Sequence, residues 1–417
     1  MLRLPEGAGR RQNGLIMHAG IEAQSGESGE RPRTATFLEL FFDLAFVFAL
    51  TRVAARMYGR LTMHPDLWQV TVGAGKATLL LVALFAIWHQ TAWLTSRYDP
   101  DSAAVQLVVI IALVATMVMG IALLRAFSSG ALAFAIAFAT AQISQPLVLI
   151  ALRRHERHRL ELRMLIIYSI AAVPWVVGAL LPGWPRALLW VLALAAVYTA
   201  PRFGWPVPGL GRSTRETRSE IAVEHLAERY QQFFLIAVGE ALLVIGLTYS
   251  GVTFDARRTV AFAVSIATAI LIWRIYFHRA GLIVAEAAAA SANPATFGRS
   301  AANTHLVMMI GIVVTATGTK VAIEHPIEHL HPLWNLPILI GPAVFIAGRA
   351  RFEYEVFGRV SPSRIVAFVA LLVLTVALLA TPTLVASVAA ATVLATVAVA
   401  DAWRAWGRPP EPAAPPM

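Results

Sequence analysis

Two acidic residues inside an apolar segment are the first candidates for chemistry. Glu39 and Asp43 stand four residues apart in the mostly apolar stretch 36–52, so in a helix both carboxylates lie on one face. Adjacent carboxylates repel each other unless one is protonated or a cation lies between them. The pair therefore predicts a cationic partner on another segment. Alternatively, Glu39 only marks a helix start, where the helix dipole favours an acidic residue.

A second apolar segment, 224–241, carries a stripe of ionisable residues. His225, Arg229 and Glu240 recur at helical spacing and share one predicted face, with Glu228 beside them. Arg229 and Glu240 are separated by about 16 Å of helical rise, too far to pair, so Arg229 is expected to pair with Glu39 or Asp43. Glu240 has only apolar or small neighbours. We expect it to point into the protein, protonated or paired with a cation, because an ionised group at mid-bilayer costs about 2.5–3.5 kcal/mol.

These residues predict a polar interior suited to moving an ion or a solute. The predicted substrate- or ion-coupling residues are Glu39, Asp43, His225, Glu228, Arg229 and Glu240. The predicted pocket-lining residues are His89, Trp93, Arg274, Tyr276, His278 and His305. An alternative is that buried ion pairs only fix the register of the helices. A single membrane histidine such as His305 is also more often a hydrogen-bonded packing element than a ligand.

The loop 324–331 contains three histidines and two glutamates. Imidazole and carboxylate ligands suit zinc or copper, but Pro326 breaks the helical spacing. His325, His329 and His331 are therefore only weak metal candidates, and the sequence predicts no metal centre and no cofactor. It also predicts no catalytic residue, because no HExxH, P-loop, GxSxG or Rossmann fingerprint stands in a supportive context.

Composition places these residues in a membrane. Hydrophobic residues make up 58% of the 417 residues and charged residues 14%, against about a quarter charged in globular domains. The net charge of +10 is scattered between apolar runs, which argues against nucleic-acid binding. The absence of cysteine excludes disulfides and thiol catalysis.

Hydrophobic windows predict an all-α polytopic transmembrane helix bundle of about twelve spans. The range is 10–12, because the fifth and sixth helices and the last pair are short enough to form bent elements or hairpins. The predicted helices lie at 37–55, 72–95, 104–124, 131–152, 164–181, 186–200, 221–250, 260–285, 301–321, 333–348, 364–380 and 383–400.

The bundle is predicted to be a single domain, 36–402, between two disordered cytoplasmic tails, 1–35 and the Pro-rich 403–417. The first tail has no apolar h-region and so predicts no cleavable signal peptide; Met17 is an alternative start. Of the 34 Lys and Arg residues, 22 fall on the side of the termini and seven on the other. This bias predicts that both termini are cytoplasmic.

Two motifs carry a resemblance to a family. The stretch 39–49, ELFFDLAFVFA, resembles the opening helix of bacterial low temperature requirement A (LtrA) proteins, and HLAER at 225–229 with Gly239-Glu240 resembles their second hallmark. Further similar stretches extend the resemblance over about 36–380: 97–101, 206–209, 276–277, 305–312 and 345–348. Ala241 and His278 depart from the serine and the acidic residue expected there. The resemblance implies a bacterial plasma-membrane protein with a role in growth in the cold, and no molecular activity.

The favoured functional hypothesis is an ion- or proton-coupled transporter of a small solute, with Glu240 as the coupling acid and Glu39, Asp43 and Arg229 as a gating or substrate pair. One alternative is an intramembrane lipid-modifying enzyme in which His89, His225 and His305 converge. Another is a structural or signalling protein. The predicted partners are the lipid bilayer and an unknown small solute or ion, and the sequence does not specify an oligomeric state.

Overall fold

Thirteen α-helices account for most of the described chain in a computed structural model of the protein. The structure describes residues 35–63, 66–152, 159–213, 222–279, 281, 283–292, 294–328, 331–409 and 411–416, which fall in one compact unit, Ala35–Met417. The helices are α1 (Phe37–Met63), α2 (Leu67–Arg97), α3 (Ala103–Ala122), α4 (Ala131–Leu152), α5 (Arg159–Leu180), α6 (Trp184–Thr199), α7 (Val223–Ser250), α8 (Ala256–Phe277), α9 (Val284–Ala290), α10 (Pro294–Glu324), α11 (Asn335–Phe357), α12 (Pro362–Ala377) and α13 (Thr383–Ala405). The described residues contain no β-strand.

Nine helices of the described chain are long and apolar enough to cross a bilayer: α2, α3, α4, α5, α7, α8, α10, α11 and α13. Helices α6 and α12 are apolar but have only 16 residues each. The outward faces are also apolar, as on α3, where Ile110, Val114 and Ile121 are exposed. The all-helical membrane bundle is therefore confirmed, and the count of twelve spans stays a prediction.

Each predicted helix has a counterpart, but three predicted ends are wrong: 37–55 and 333–348 stop eight and nine residues before α1 and α11 do, and 260–285 continues past the end of α8. Helix α8 ends at Phe277, Arg279 adopts a left-handed φ of 56°, and the short α9 begins at Val284. Arg349 of α11 donates hydrogen bonds to the carbonyl oxygens of Ile275 and His278, at 3.0 and 2.9 Å. These carbonyls belong to the end of α8 and need outside donors once the helix stops. The end of α8 is therefore accompanied by a contact with a distant segment, which a hydropathy profile cannot predict.

Two further buried arginines bind carbonyl groups at the ends of neighbouring helices. Arg56 of α1 donates to the carbonyls of Leu123 and Leu124 after α3, at 3.2 and 2.6 Å. Arg186 of α6 donates to carbonyls at the end of α5, at 3.0 to 3.3 Å. Helix C-termini carry partial negative charge, so these positions stabilise a guanidinium without a carboxylate partner.

Helices α10 and α11 approach each other closely at glycines. A Cβ atom on Gly311 would lie 2.4 Å from the backbone nitrogen of Phe345, and one on Gly341 would lie 2.5 Å from that of Thr315. Gly318 and Gly348 repeat such contacts seven residues further along. Small residues let helix backbones pack closely in membranes, so this pair is a rigid element beside the candidate site.

Candidate functional site

The site lies where α1, α2 and α7 meet. Arg229 of α7 is fully buried and donates two hydrogen bonds to the carboxylate of Asp43 on α1, at 2.8 and 2.9 Å. The indole Nε1 of Trp88, on α2, donates to Asp43 Oδ1 at 3.0 Å. Two-point arginine–carboxylate pairing is strong and geometrically specific. The predicted pairing of Arg229 with a carboxylate from another helix is confirmed.

Glu39 both starts α1 and contacts the cations of α7. Its Oε2 accepts from the backbone N–H and the hydroxyl of Thr36, at 2.9 and 3.1 Å, and its own N–H donates to Thr36 Oγ1 at 3.4 Å. This reciprocal arrangement is a capping box. Glu39 Oε1 also lies 3.4 Å from Arg229 Nε, and Oε2 lies 3.3 Å from His225 Nε2. Glu39 therefore caps the start of α1 and also contacts the cation Arg229, so both interpretations of this residue apply.

His225 connects Ser96 of α2 to Glu39 of α1. The hydroxyl of Ser96 lies 2.7 Å from the carbonyl oxygen of Ala92 and 3.0 Å from His225 Nδ1. The other ring nitrogen, Nε2, faces the carboxylate of Glu39 at 3.3 Å. Glu39, Asp43, His225 and Arg229 together form an ion cluster, in which two side chains of α7 face two carboxylates of α1.

The Ser96–His225–Glu39 chain has the residue types of a nucleophile, a base and an acid. Ser96 is 1% exposed, and its hydroxyl proton is already donated within α2. A nucleophilic serine instead needs its hydroxyl aimed at the base and open to substrate. The arrangement does not favour an enzymatic role.

Glu228 lies at the outer edge of the ion cluster and is half-buried. Its Oε1 accepts from Gln232 Nε2 at 3.1 Å, and its Oε2 accepts from the backbone N–H of Ala35 at 3.3 Å. Gln232 in turn accepts from Arg229 at 3.0 Å. Glu228 thus contacts the cluster through Gln232 and holds the residue that leads into α1.

Glu240 lies further along α7, about 16 Å from Arg229 by helical rise. It is fully buried, and neither carboxylate oxygen has a hydrogen-bond partner within the described parts of the chain. The ion cluster is therefore a paired group of charges, whereas Glu240 is a single carboxyl group in an apolar setting.

A cavity of about 150 Å³ opens on the other side of α2 and α7 from the ion cluster. Phe85 and His89 of α2 and Tyr230 of α7 line it, together with residues of α4, α5, α6 and α10. Trp88 lies between cavity and cluster: its ring stacks on Phe233 with a centroid distance of 4.0 Å and lies 5.8 Å from the ring of Tyr230. One layer of aromatic side chains thus separates the cavity from the Asp43–Arg229 pair.

Two of the predicted pocket-lining residues, His89 and Trp93, line this cavity, and four others do not. Arg274 and His278 contact each other on α8, with 3.0 Å between the guanidinium and the ring nitrogen. The remaining two are Tyr276 and His305. Sequence alone places all six in one interior, but it does not tell which faces of α8 and α10 turn toward α2.

Tyr276 and His305 form a packed pair between α8 and α10. His305 Nδ1 lies 2.7 Å from the carbonyl oxygen of Ala301 and so donates to it. The Tyr276 hydroxyl lies 2.9 Å from Nε2, which is left to accept. Tyr230 stacks on the same imidazole with a centroid distance of 4.7 Å. Both nitrogens of His305 are satisfied, as in a packing element.

The histidine-rich loop makes local contacts. His325 Nδ1 lies 2.7 Å from Glu328 Oε2, and His331 Nδ1 accepts the N–H of Leu333 at 3.3 Å. His329 lies outside the described residues. Among the residues that the structure describes, no group of three or more His, Cys, Asp or Glu residues is arranged to hold a metal ion. His89, His225 and His305 therefore belong to no such group within that part of the chain.

Several residues of this region could not be identified from the sequence, namely Trp88, Ser96, Gln142 and Tyr230. Gln142 is an uncharged amide inside an apolar helix, and burial of an amide was the signal available for it. Trp88 and Tyr230 resemble ordinary apolar residues in the sequence. Their polar atoms become informative only when the positions of Asp43 and the cavity are known.

Apolar helices that enclose a buried ion cluster and a cavity define a polytopic helical membrane protein. The family profile described as "Bacterial low temperature requirement A protein (LtrA)" matches residues 34–399, and the chain belongs to this family. It is 34% identical over 319 residues to the uncharacterized protein RA0937 of Rhizobium meliloti (strain 1021), covering 75% of this chain and 76% of that relative. No solved structure matches the chain.

Proposed function

We propose that the protein is a proton-coupled transporter of a small solute, with Glu240 as the group that takes up and releases the proton. The observation that carries the proposal is that Glu240 is fully buried and both its oxygens lack partners among the described residues. An ionised carboxylate there costs about 2.5–3.5 kcal/mol on insertion scales, so this conformation favours the neutral acid. Proton release then requires a second conformation that brings water or a cation to Glu240.

The ion cluster acts as a gate between α1 and α7 in this proposal. Its carboxylates belong to α1 and its cations to α7, so separating the helices breaks all the ion contacts together. Protonation of Glu39 or Asp43 would remove one of the two negative charges that face Arg229. That change weakens the closed state relative to an open state, which is how ligand binding shifts a conformational equilibrium.

The cavity supplies a solute site next to the gate. Phe85, His89 and Tyr230 line the cavity, while their helical neighbours Trp88 and Arg229 contact Asp43. Movement of α7 relative to α2 therefore changes the cavity and the gate at the same time. Such direct linkage is what coupling between solute and proton requires.

The proposed location is the bacterial plasma membrane, with twelve spans and both termini in the cytoplasm. The family is bacterial, and the distribution of 22 and seven basic residues supports this orientation. Twelve spans require α1, α6 and α12 to cross as well.

Purified protein in liposomes that contain a pH-sensitive dye tests the proposal. A defined panel of amino acids, carboxylates and sugars is added outside, with the voltage clamped by potassium and valinomycin. We expect one class of solute to drive proton entry above the rate in protein-free liposomes. Glu240→Gln should abolish this entry, because the amide cannot carry the proton.

Glu355→Gln is the matched control. Glu355 is equally buried but accepts a hydrogen bond from Thr304 at 2.7 Å, so it has a partner and no proposed coupling role. Solute uptake that does not move protons, or proton entry that survives Glu240→Gln, contradicts the proposal.

A structural role is the second candidate, because the side chains of the ion cluster are paired with one another and buried. Buried ion pairs can fix helix register without any transport function. In that case, replacing paired charges together would alter thermal stability and leave every functional readout unchanged. The intramembrane-enzyme hypothesis has no such observation in its favour.

A further inference from the structure

We infer that the cavity between α2, α4 and α7 binds a small amphipathic carboxylate, a molecule with a ring-sized apolar body and one carboxyl group. The inference concerns binding alone and does not require that Glu240 couples a proton to transport.

The size and walls of the cavity define the apolar body. The walls are mainly apolar and include several aromatic side chains, among them Phe85, Trp93, Tyr168, Trp205 and Tyr230. The volume of about 150 Å³ matches that of an engineered apolar cavity that binds benzene. A single ring, or a branched chain of similar size, fits this space.

Unused polar groups define the head group. Gln142 is 2% exposed and lines the cavity, and neither its Nε2 nor its Oε1 has a hydrogen-bond partner among the described residues. Within the same part of the chain Gln90 Oε1 is also unpartnered, whereas Gln90 Nε2 donates to the backbone carbonyl of Gln142 at 3.1 Å. A buried polar group without a hydrogen bond costs about 1–3 kcal/mol, so a ligand that satisfies these amides is favoured.

A carboxyl group can hydrogen-bond to the side-chain amide of Gln142 whether the carboxyl group is ionised or protonated. Carboxylate oxygens accept from the amide N–H, and a protonated carboxyl group can also donate its O–H to the amide oxygen. His89 faces the same space, so its ring N–H is a further donor for the ligand.

The charge of the lining selects an anion. Arg202 lines the cavity, and no aspartate or glutamate does so among the described residues. Arg202 is exposed, whereas Gln90 and Gln142 are buried, so a positive charge stands at the mouth and the amides at the floor. Aromatic walls alone would also attract an ammonium group, but the guanidinium group of Arg202 repels it.

The test uses fluorine NMR of 4-fluorobenzoate with the purified full chain in detergent. We expect the ligand signal to broaden in the presence of protein. Excess benzoate should reverse the broadening, and benzylamine, a cation of the same size, should not. Gln142→Leu should raise the dissociation constant at least tenfold.

Gln145→Leu is the matched control. Gln145 lies on the same helix and is 1% exposed, its amide atoms have no partner in the part of the chain that the structure describes, and it does not line the cavity. This variant should bind the ligand as the wild type does. Because it is measured in the same detergent, it also corrects for partition of the ligand into the micelles. Arg202→Gln, an exposed change that preserves folding, provides a second weakened variant if Gln142→Leu does not fold.

Competition by octanoate distinguishes two sources of the same chemistry. Stronger competition by octanoate than by benzoate assigns the site to fatty acids from the membrane, and the reverse order assigns it to soluble ring acids. Three outcomes overturn the inference: no specific broadening with the wild type, broadening by Gln142→Leu and Arg202→Gln equal to that by the wild type, or displacement of the ligand by benzylamine. Glu240→Gln should bind normally, so failure of proton coupling is distinguishable from failure of this site.

Discussion

Asp43 and Arg229, 186 residues apart in the sequence, form a fully buried two-point ion pair that joins α1 to α7. Trp88 donates a third hydrogen bond to the carboxylate, and Glu39 lies 3.4 Å from the guanidinium on its other side. In such a setting each charge is stabilised mainly by its partners, because water does not reach it. The pair therefore behaves as a unit, and the effects on stability of replacing its two residues should not be additive.

The first prediction is a compensating double substitution at this pair. Arg229→Met or Asp43→Leu alone should destabilise the protein by about 3–5 kcal/mol, because each leaves a buried charge without its partner. The double variant should recover most of that loss, since it removes both charges of the pair and Glu39 still contacts His225. Thermal unfolding of the purified proteins in one detergent measures this.

Losses that simply add in the double variant would contradict a coupled pair. The same proteins also separate the gate from the structural role. A stable double variant with altered proton entry supports a gate, whereas unchanged transport indicates that the pair only holds α1 against α7.

The second prediction concerns Glu240, whose carboxylate has no hydrogen-bond partner among the described residues. Glu240→Met should leave stability unchanged or raise it by up to about 1–3 kcal/mol, because it removes an unsatisfied buried polar group. Glu355→Met should instead destabilise, since Thr304 and Arg351 donate to that carboxylate at 2.7 and 3.3 Å. Thermal unfolding of both variants beside the wild type gives the comparison. A loss for Glu240→Met as large as that for Glu355→Met would mean that Glu240 has a partner.

Ionisable residues within apolar helices were predictable, because a charge in a hydrophobic run stands out in the sequence. The pairing of Arg229 with an acid of the first helix followed from the distance to Glu240 along one helix. Contacts made by residues of ordinary appearance were not predictable. Trp88 acquires its role from the position of Asp43, and the end of α8 is set beside Arg349, more than 70 residues away.

The third prediction tests the close contact of α10 and α11. Gly311→Ala should destabilise the protein by about 1–3 kcal/mol, as overpacking does, because the new Cβ would lie 2.4 Å from a backbone nitrogen of α11. Gly246→Ala on α7 is the control, since nothing lies within 4 Å of its Cβ position. It should gain about 0.5–1 kcal/mol, because alanine favours a helix over glycine. Equal thermal unfolding of the two variants would show that α10 and α11 are further apart than described.

The fourth prediction fixes the topology, and the absence of cysteine makes each introduced thiol unique. With twelve spans, Ser129→Cys and Thr253→Cys lie on the outer side, and Asp101→Cys and Trp406→Cys lie in the cytoplasm. A membrane-impermeant maleimide should label the first two in intact cells and the others only after permeabilisation. If α6 does not cross, Ser129 and Thr253 fall on opposite sides; if α12 does not cross, Thr253 and Trp406 fall on the same side.

Arg56 and Arg186, counted among the seven basic residues of the outer side, are buried against helix carbonyls. The free basic residues there are therefore fewer than the count suggests, and the positive-inside bias that underlies this orientation is correspondingly stronger.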